Sequence, residues 1–242
     1  MDETQQDART AAVVASVVTE LLGDYDVLEL LDRLLEASRQ GAGARGEALL
    51  VPDGEGGLAV LASTSETARD LELFQLMAGE GPAFDCLSSG RAVLVPDMAG
   101  VDARWPVFAP AARAAGMTGV ASLHMGVQGT SVGALNIFDP GVRTLAELAP
   151  TQALADVAVL AVLQAGRRLD AQDVLAEVRR AMDRRVLVEQ AKGVVAEWTG
   201  LSPAEAGPLL LEHARRTAQP LSEVARRVVH LEVEREDVVP PA

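Results

Sequence analysis

The sequence predicts an α+β domain followed by a small all-α domain, on three observations. Residues 43–138 contain short apolar runs bounded by glycine and proline, typical of strands, with a segment of helical period between them. Residues 151–201 contain no proline and are rich in good helix formers. Residues 202–229 carry two further helix-start signals. We therefore expect an antiparallel sheet flanked by helices, joined by a long helix to a three-helix domain.

Short apolar runs predict the strands of the first domain. They cover residues 45–51, 58–63, 92–95, 119–125 and 132–138. The turn at 52–57 makes the first two a hairpin with a longer loop, and the turn at 128–130 makes the last two a second hairpin. Between the hairpins, the apolar spacing over residues 68–77 predicts a helix.

The long helix is predicted over residues 151–201, with a break near Gly166 as one alternative. A stripe of mostly apolar residues runs along it with four- and three-residue steps. It passes through Val174, Val178, Ala181, Arg185 and Val188. This spacing favours either a coiled coil with a second copy or a helix packed on its own first domain. The sequence leaves both alternatives open.

Two shorter helices follow the long one. Ser202 and Glu205 have the spacing of a capping box, and Pro203 occupies the first helical position, so a second helix should begin there. Pro220 and Ser222 mark the start of a third. Its apolar positions, at helical spacing, are Leu221, Val224, Ala225 and Val228.

Charge separates the two domains. The formal net charge is −14, which by itself argues against a polyanionic partner. Residues 1–170 hold 11 basic and 23 acidic side chains, whereas residues 179–230 hold 9 basic and 6 acidic ones. The basic excess therefore belongs to the last part of the chain, which contains the only lysine, Lys192.

The composition disfavours several classes of protein, namely secreted, membrane-spanning, disulfide-bonded and metal-binding ones. Acidic residues precede the apolar run at 11–18, unlike a secretory signal, and no apolar stretch reaches the roughly 20 residues that span a bilayer. One cysteine, Cys86, and three scattered histidines offer neither an internal disulfide nor a metal cluster. We expect a cytoplasmic protein without metal, cofactor or membrane, and no enzyme.

The C-terminal part resembles the ANTAR module. The resemblance rests on Ala191-Lys192-Gly193, then residues 201–206, then His213-Ala214-Arg215-Arg216, then residues 221–229. It implies an RNA-binding domain of bacterial antiterminators, which binds paired hairpins in nascent transcripts and prevents a terminator from forming. The candidate RNA contacts are Arg184, Arg185, Lys192, Arg215 and Arg216; the alternative is that they are solvated helix faces. His213 and His230 are expected at the surface.

This chain departs from the ANTAR pattern at one place. Family members commonly carry an aromatic residue where Gly207 stands, and Pro208 follows it. Proline inside a helix removes a backbone hydrogen bond, so the second helix should either begin after the capping box or kink at this point. Trp198 is expected either as a core anchor or as a base-stacking substitute for the missing aromatic.

The first part of the chain resembles the GAF domain of actinobacterial GAF-ANTAR proteins over residues 25–165. The motifs are Leu73-Phe74-Gln75, residues 79–82, Arg104-Trp105-Pro106 and residues 133–136. The resemblance implies a domain that senses a small molecule or serves only to dimerise. Its pocket residues would be Phe74, Trp105, Phe108 and His124. Relatives often have a cysteine directly after the Gly-Pro pair, but here Ala83 follows Pro82.

The resulting interpretation has five segments. They are an N-terminal helix (1–24), a GAF domain (25–165), a helical linker (166–183), an ANTAR domain (184–235) and a disordered tail (236–242). The expected function is a homodimeric antitermination regulator that binds RNA hairpins, with an unknown small-molecule ligand as a candidate input. The alternatives are a DNA-binding helix-turn-helix regulator, a dimerisation scaffold with a degenerate RNA site, and a GAF-fold enzyme. The last would need a reactive thiol, and the apolar context of Cys86 favours a buried, inert one.

Overall fold

The computed structural model describes residues 12–17, 19, 25–53, 57–127, 130–140, 144–165 and 171–239. They divide into an N-terminal unit, which includes residues 30–179, and a C-terminal unit of residues 25–29 and 180–239. Residues 12–17 and 19 are helical, and the rest of the predicted N-terminal helix lies outside the described residues. The middle of the first hairpin turn (54–56) and residues 128–129 of the second also lie outside them.

A five-stranded antiparallel sheet forms the centre of the N-terminal unit, in the order β2-β1-β5-β4-β3. The strands are β1 Gly46–Pro52, β2 Leu58–Ser63, β3 Val93–Val95, β4 Val120–Val127 and β5 Thr130–Phe138. Each of the five strands begins and ends within two residues of the run predicted for it, which confirms those predictions. β1 and β4 flank β5, and Leu135 of β5 is paired with Leu49 on one side and Leu123 on the other.

Helices cover both faces of this sheet. They are α1 Val27–Ala42, α2 Glu66–Ala78, α3 Pro82–Ser89, α4 Phe108–Ala114 and α5 Ala149–Ala165. Because successive strand residues point to opposite faces, Leu49 and Leu135 face α1 and α5, whereas Ala48 and Phe138 face α2 and α4. The core therefore has two layers, one on each side of the sheet.

Helices alone form the C-terminal unit. They are α6 Ala171–Thr199, α7 Pro203–Thr217, α8 Leu221–Val229 and α9 Arg235–Val238. The predicted break near Gly166 falls in residues 166–170, outside the described residues. The first residues of the segment predicted as a tail, from residue 236, lie in α9, where Val238 is only 2% exposed. A buried valine next to acidic residues anchors this short helix.

The capping box of α7 is confirmed. Ser202 accepts from the backbone N–H of Glu205, and the Glu205 carboxylate accepts from the Ser202 N–H at 2.9 Å. The helix therefore begins at Pro203, and the alternative of a later start is wrong. Pro208 lies inside the helix, where it leaves the Ala204 carbonyl without its helical donor.

A buried stripe runs along α6 at three- and four-residue steps. It passes through Ala181, Arg184, Val188, Ala191, Val195 and Trp198, all buried or half-buried. The predicted stripe passed through Arg185, which is half-buried like Arg184, with 14% of its side chain exposed. Val174 and Val178 of that prediction lie outside the residues whose side chains are described.

Candidate functional site

One edge of α6 carries two of the five predicted RNA contacts. Arg185 Nε lies 3.3 Å from Glu189 Oε1, and Lys192 Nζ donates to the same oxygen at 2.8 Å. Arg185 and Lys192 are seven residues apart, so they share one side of the helix, about 10 Å apart along its axis. The structure therefore brings these two cations together around one carboxylate.

Lys192 is also held by the second helix. A Cβ added at Gly207 of α7 would lie 3.2 Å from Lys192 Cε and 3.9 Å from Nζ. The aliphatic stem of the lysine thus passes over the position where ANTAR relatives commonly have an aromatic side chain. The lysine stem can pack here because residue 207 has no side chain; a larger residue at this position would force the stem to move.

Arg184 does not lie with these two residues. It occupies the buried stripe between Ala181 and Val188, and its Nε is inaccessible to solvent. One residue of the helix rotates a side chain by about 100°, which separates Arg184 from the side of the helix that carries Arg185 and Lys192. The structure places Arg184 in the packing of the unit rather than on the predicted contact surface.

Arg215 and Arg216, near the end of α7, point elsewhere again. Arg216 follows Gly207 by nine residues, which is about half a turn around the helix from the Lys192 side. It donates to the backbone carbonyl of Asp237 in α9 and lies 2.9 Å from His213 Nδ1. Arg215 is exposed and forms an ion pair with Glu29 at 3.1 Å. The five candidates therefore do not form one continuous basic surface.

His213 is buried, which corrects its expected surface position. Only 4% of it is exposed, and its Nδ1 lies 2.7 Å from the Asp237 carbonyl oxygen. His213 thus joins α7 to α9, a role that no local pattern indicated because its partner lies 24 residues away.

The four predicted pocket residues of the N-terminal unit are not brought together. Trp105 and Phe108 are buried side by side, with ring centroids 6.0 Å apart in a T-shaped arrangement. Phe74 is 46% exposed on the outer side of α2. His124 is half-buried in the middle of β4, with Nε2 3.1 Å from the Ser131 hydroxyl. Only Trp105 and Phe108 share an environment, and they are part of a packed core.

Sequence reasoning missed a buried polar cluster on the same face of the sheet. Asn136 of β5 donates to both carboxylate oxygens of Glu72 at 2.9 Å, and Gln75 donates to Glu72 at 3.0 Å. All three side chains are fully buried. Burial raises the pKa of Glu72 to about 8, and the hydrogen bond from Asn136 offsets only part of this effect. Glu72 therefore carries a proton at neutral pH.

A second buried carboxyl lies on the opposite face. Ser38 of α1 donates to Glu47 Oε1 at 3.0 Å, and burial raises the pKa of Glu47 well above its usual value. Nearby is a cavity of about 10 Å³, lined by Ser38 and apolar residues of α1, α5 and three strands. This volume matches about one water-sized sphere, so the cavity is too small for a metabolite.

The single cysteine lies in α3 against the sheet. Cys86 is 0% exposed, and burial raises the pKa of its thiol, an effect that Ser122 partly offsets. A buried thiol with a raised pKa is a poor nucleophile. The described residues contain no group of three or more His, Cys, Asp or Glu side chains that could hold a metal ion. In the same part of the chain, no helix is both long and apolar enough to cross a membrane.

Comparison with known protein families identifies both units. The GAF domain model matches residues 24–163, which is more than half of the chain, and the ANTAR domain model matches residues 176–229. No curated protein matches the chain. ANTAR is an RNA-binding antitermination domain and GAF is a sensory domain; both are regulatory rather than catalytic.

Solved structures resemble the N-terminal unit. The GAF domain of an Acinetobacter phosphoenolpyruvate-protein phosphotransferase superposes with a TM-score of 0.50 at 10% identity, covering 70% of this chain and 99% of that one. A GAF domain/HD domain protein from Geobacter sulfurreducens has a TM-score of 0.47 at 22% identity, and the match covers 58% of this chain and 95% of that one. Free methionine-R-sulfoxide reductase from Neisseria meningitidis has a TM-score of 0.48 at 12% identity, and the match covers 75% of this chain and 95% of that one.

At 10% identity, the likeness to the Acinetobacter GAF domain supports the fold alone. The chain belongs to the GAF domain family and carries a second, ANTAR domain in its C-terminal unit.

Proposed function

We propose that this protein is a homodimeric regulator that binds RNA hairpins through the α6–α7 edge and so prevents transcription termination. The observation that carries the proposal is the placement of Arg185 and Lys192 on one edge, with the lysine stem packed on Gly207 of α7. Arginine and lysine donors fixed in this way suit phosphate oxygens. Arg215 and Arg216 are secondary candidates, since both face other directions.

Hairpins suit this edge better than long duplexes. Two cations neutralise few phosphates, and the whole chain carries a net charge of −14, so non-specific attraction to a polyanion is weak. Specific RNA recognition instead uses unpaired loop bases that stack on aromatic or guanidinium groups. Trp198, half-buried in the last turn of α6, is the nearest aromatic candidate by sequence.

The test compares fluorescence anisotropy of labelled tandem RNA hairpins, linear RNA duplex and DNA duplex with the full chain. Hairpins should bind most tightly, and Arg185→Ala with Lys192→Ala should weaken that binding. The matched control removes two exposed arginines of the N-terminal unit, Arg69→Ala with Arg91→Ala, and should leave it unchanged. Preference for duplex DNA would support the helix-turn-helix alternative, and no binding to any probe would support the scaffold.

We assign dimerisation to the exposed side of α5. The helix Ala149–Ala165 contains a single charged residue, Asp156, and leaves Leu160 49% exposed. The exposed side of this helix carries Ala153, Asp156 and Leu160 at helical spacing, and in this proposal a second copy packs there. Light scattering on the full chain should give a dimer, and Leu160→Arg should give a monomer. A wild-type monomer at micromolar concentration, with and without RNA, would contradict this assignment.

The GAF domain is the proposed sensory input. Its aromatic core around Trp105 and Phe108 is packed, so a ligand would have to displace side chains there rather than enter an open cavity. Trp105 fluorescence in a Trp198→Phe background would report such a displacement. No change across a broad metabolite panel would favour a GAF domain that acts only as a scaffold.

A further inference from the structure

Glu189 sits at the centre of the cationic edge. It accepts from Lys192 at 2.8 Å and lies 3.3 Å from Arg185, and the exposed fractions of the three side chains are 28%, 21% and 14%. Charges this enclosed are screened less by water and salt than a surface ion pair. The Glu189 carboxylate therefore lies next to both cationic groups and shares one oxygen between them.

The lysine has little freedom to turn away from this point. Its stem is confined on the α7 side, where the Gly207 Cβ position is 3.2 Å from Cε. A phosphate that binds Lys192 and Arg185 together must therefore approach the position that Glu189 Oε1 already fills. Carboxylate and phosphate oxygens compete for the same donors because both are anionic acceptors.

We propose that Glu189 is an intramolecular competitor of RNA phosphate, which holds Arg185 and Lys192 in the free protein and is displaced when RNA binds. This inference rests on the proposed RNA-binding function of the same edge. It makes Glu189 a specificity determinant: a linear polyanion offers only phosphate to displace the carboxylate, whereas a hairpin adds loop contacts. The weak non-specific binding expected from the net charge is thereby lowered further.

The first test replaces the charge but keeps the shape. Glu189→Gln should bind linear RNA duplex about three- to tenfold more tightly than wild type at low salt, as expected for removing one nearby anion from a half-enclosed site. The gain should shrink as salt increases. The gain for tandem hairpins should be smaller, which reduces the preference for hairpins. Lys192→Ala in the Glu189→Gln background should abolish both gains.

The matched control is Glu197→Gln, which changes the net charge equally on an exposed side chain of the same helix. It should leave both affinities near the wild-type values. If Glu189→Gln and Glu197→Gln behave alike, only total charge matters and the competitor role is wrong. If Glu189→Gln weakens hairpin binding, the carboxylate orients the cations or contacts RNA itself, and the proposal is overturned.

A second measurement does not depend on RNA binding. Lys192 is the only lysine, so acylation of its amine by an amine-reactive ester can be followed by peptide mass spectrometry, separately from the N-terminus. Glu189→Gln should be acylated several-fold faster than wild type or Glu197→Gln, because the ammonium loses its carboxylate partner. Equal rates would mean that Glu189 does not hold Lys192 in solution, which overturns the proposal.

The two measurements also separate this inference from the proposed function. If wild type binds hairpins but Glu189→Gln changes neither affinity nor acylation, the RNA-binding function stands and the competitor role is wrong. If acylation accelerates but neither protein binds any RNA, the proposed function is wrong, and the competitor role fails with it.

Discussion

The two units use glutamate in opposite ways. In the N-terminal unit, Glu47 and Glu72 are fully buried and their pKa values are raised, because desolvation outweighs hydrogen bonds from neutral partners. In the C-terminal unit, the Ser202 hydroxyl lowers the pKa of Glu205, and the Arg226 guanidinium lowers that of Glu223. The comparison teaches that desolvation decides the sign of the pKa shift in the core, even where a cation such as Arg39 lowers the pKa of Glu47 in part.

The largest expected effect comes from the buried carboxyl of Glu72. In the unfolded chain it loses its proton near pH 4.5, whereas in the folded state it keeps the proton up to about pH 8. The stability of the folded state is thus fully present below pH 4.5 and is lost as pH rises to about 8, by about 1.4 kcal/mol per pH unit and on the order of 5 kcal/mol in total. Glu47 adds a loss of the same sign.

Glu72→Gln isolates this contribution, since glutamine keeps the size and an acceptor for Asn136 but cannot ionise. Urea unfolding followed by Trp105 fluorescence, in a Trp198→Phe background, should show a weaker fall in stability between about pH 5 and about pH 8 than the parent. Equal slopes in the two proteins would show that Glu72 is already ionised in the folded state. The contrast between the two units would then lose its main support.

Asp139 should give the next largest effect, because it is a carboxylate of the N-terminal unit that behaves as those of the C-terminal unit do. Burial raises its pKa, but hydrogen bonds from Gly119, Thr118 and Arg45 together lower it. Its stabilisation is therefore present above its usual pKa and lost as pH falls through the lowered value. Asp139→Ala should cost about 1–3 kcal/mol at neutral pH, measured by urea unfolding.

Asp139→Asn is the control for that experiment. The backbone at this position has φ 48°, which asparagine tolerates better than alanine, and the amide oxygen can still accept from Thr118. The asparagine variant should therefore lose less than the alanine variant. Equal losses would indicate that charge, not geometry, supports this turn.

The capping box of α7 should give a smaller effect. Ser202→Ala removes the acceptor for the Glu205 N–H and should cost about 1 kcal/mol. Amide hydrogen exchange over residues 203–217 should accelerate in this variant, whereas Ser88→Ala, at an exposed serine of the N-terminal unit, should leave these amides unchanged. Unchanged exchange in both variants would mean that packing alone sets the start of the helix.

The smallest effect is expected at the surface ion pairs of α8. Arg226 donates to Glu223 at 2.8 Å and to Glu232 at 2.9 Å, but these groups are exposed. Surface pairs contribute little because water and salt screen them. Arg226→Gln should lower the melting temperature less than Ser202→Ala does, and the difference from wild type should vanish at high salt. A larger loss than that of Ser202→Ala would reverse the proposed ranking.

Sequence patterns alone were sufficient for the five strands, for the starts of α7 and α8 and for the family, but not for the helices α1, α3, α4 and α9. Strands such as β1 and β5 follow from apolar runs between turn residues, and the start of α7 follows from the spacing of Ser202 and Glu205. These signals are local, because the alternation of side chains along a strand and the capping of a helix end involve residues close in the chain. The family motifs likewise lie in short blocks that can be recognised without coordinates.

Only the tertiary structure decided which side of each element faces inward. Glu72 and Phe74 lie on the same helix, but the side that carries Glu72 packs against Asn136. Glu72 is therefore buried, whereas Phe74 faces away and is exposed. In the same way, one residue of helical rotation separates Arg184, whose Nε is inaccessible to solvent, from Arg185 beside Glu189. Local spacing fixes angles between neighbouring side chains, whereas the direction of the core is set by partners far away in the chain, and a single sequence does not contain those distances.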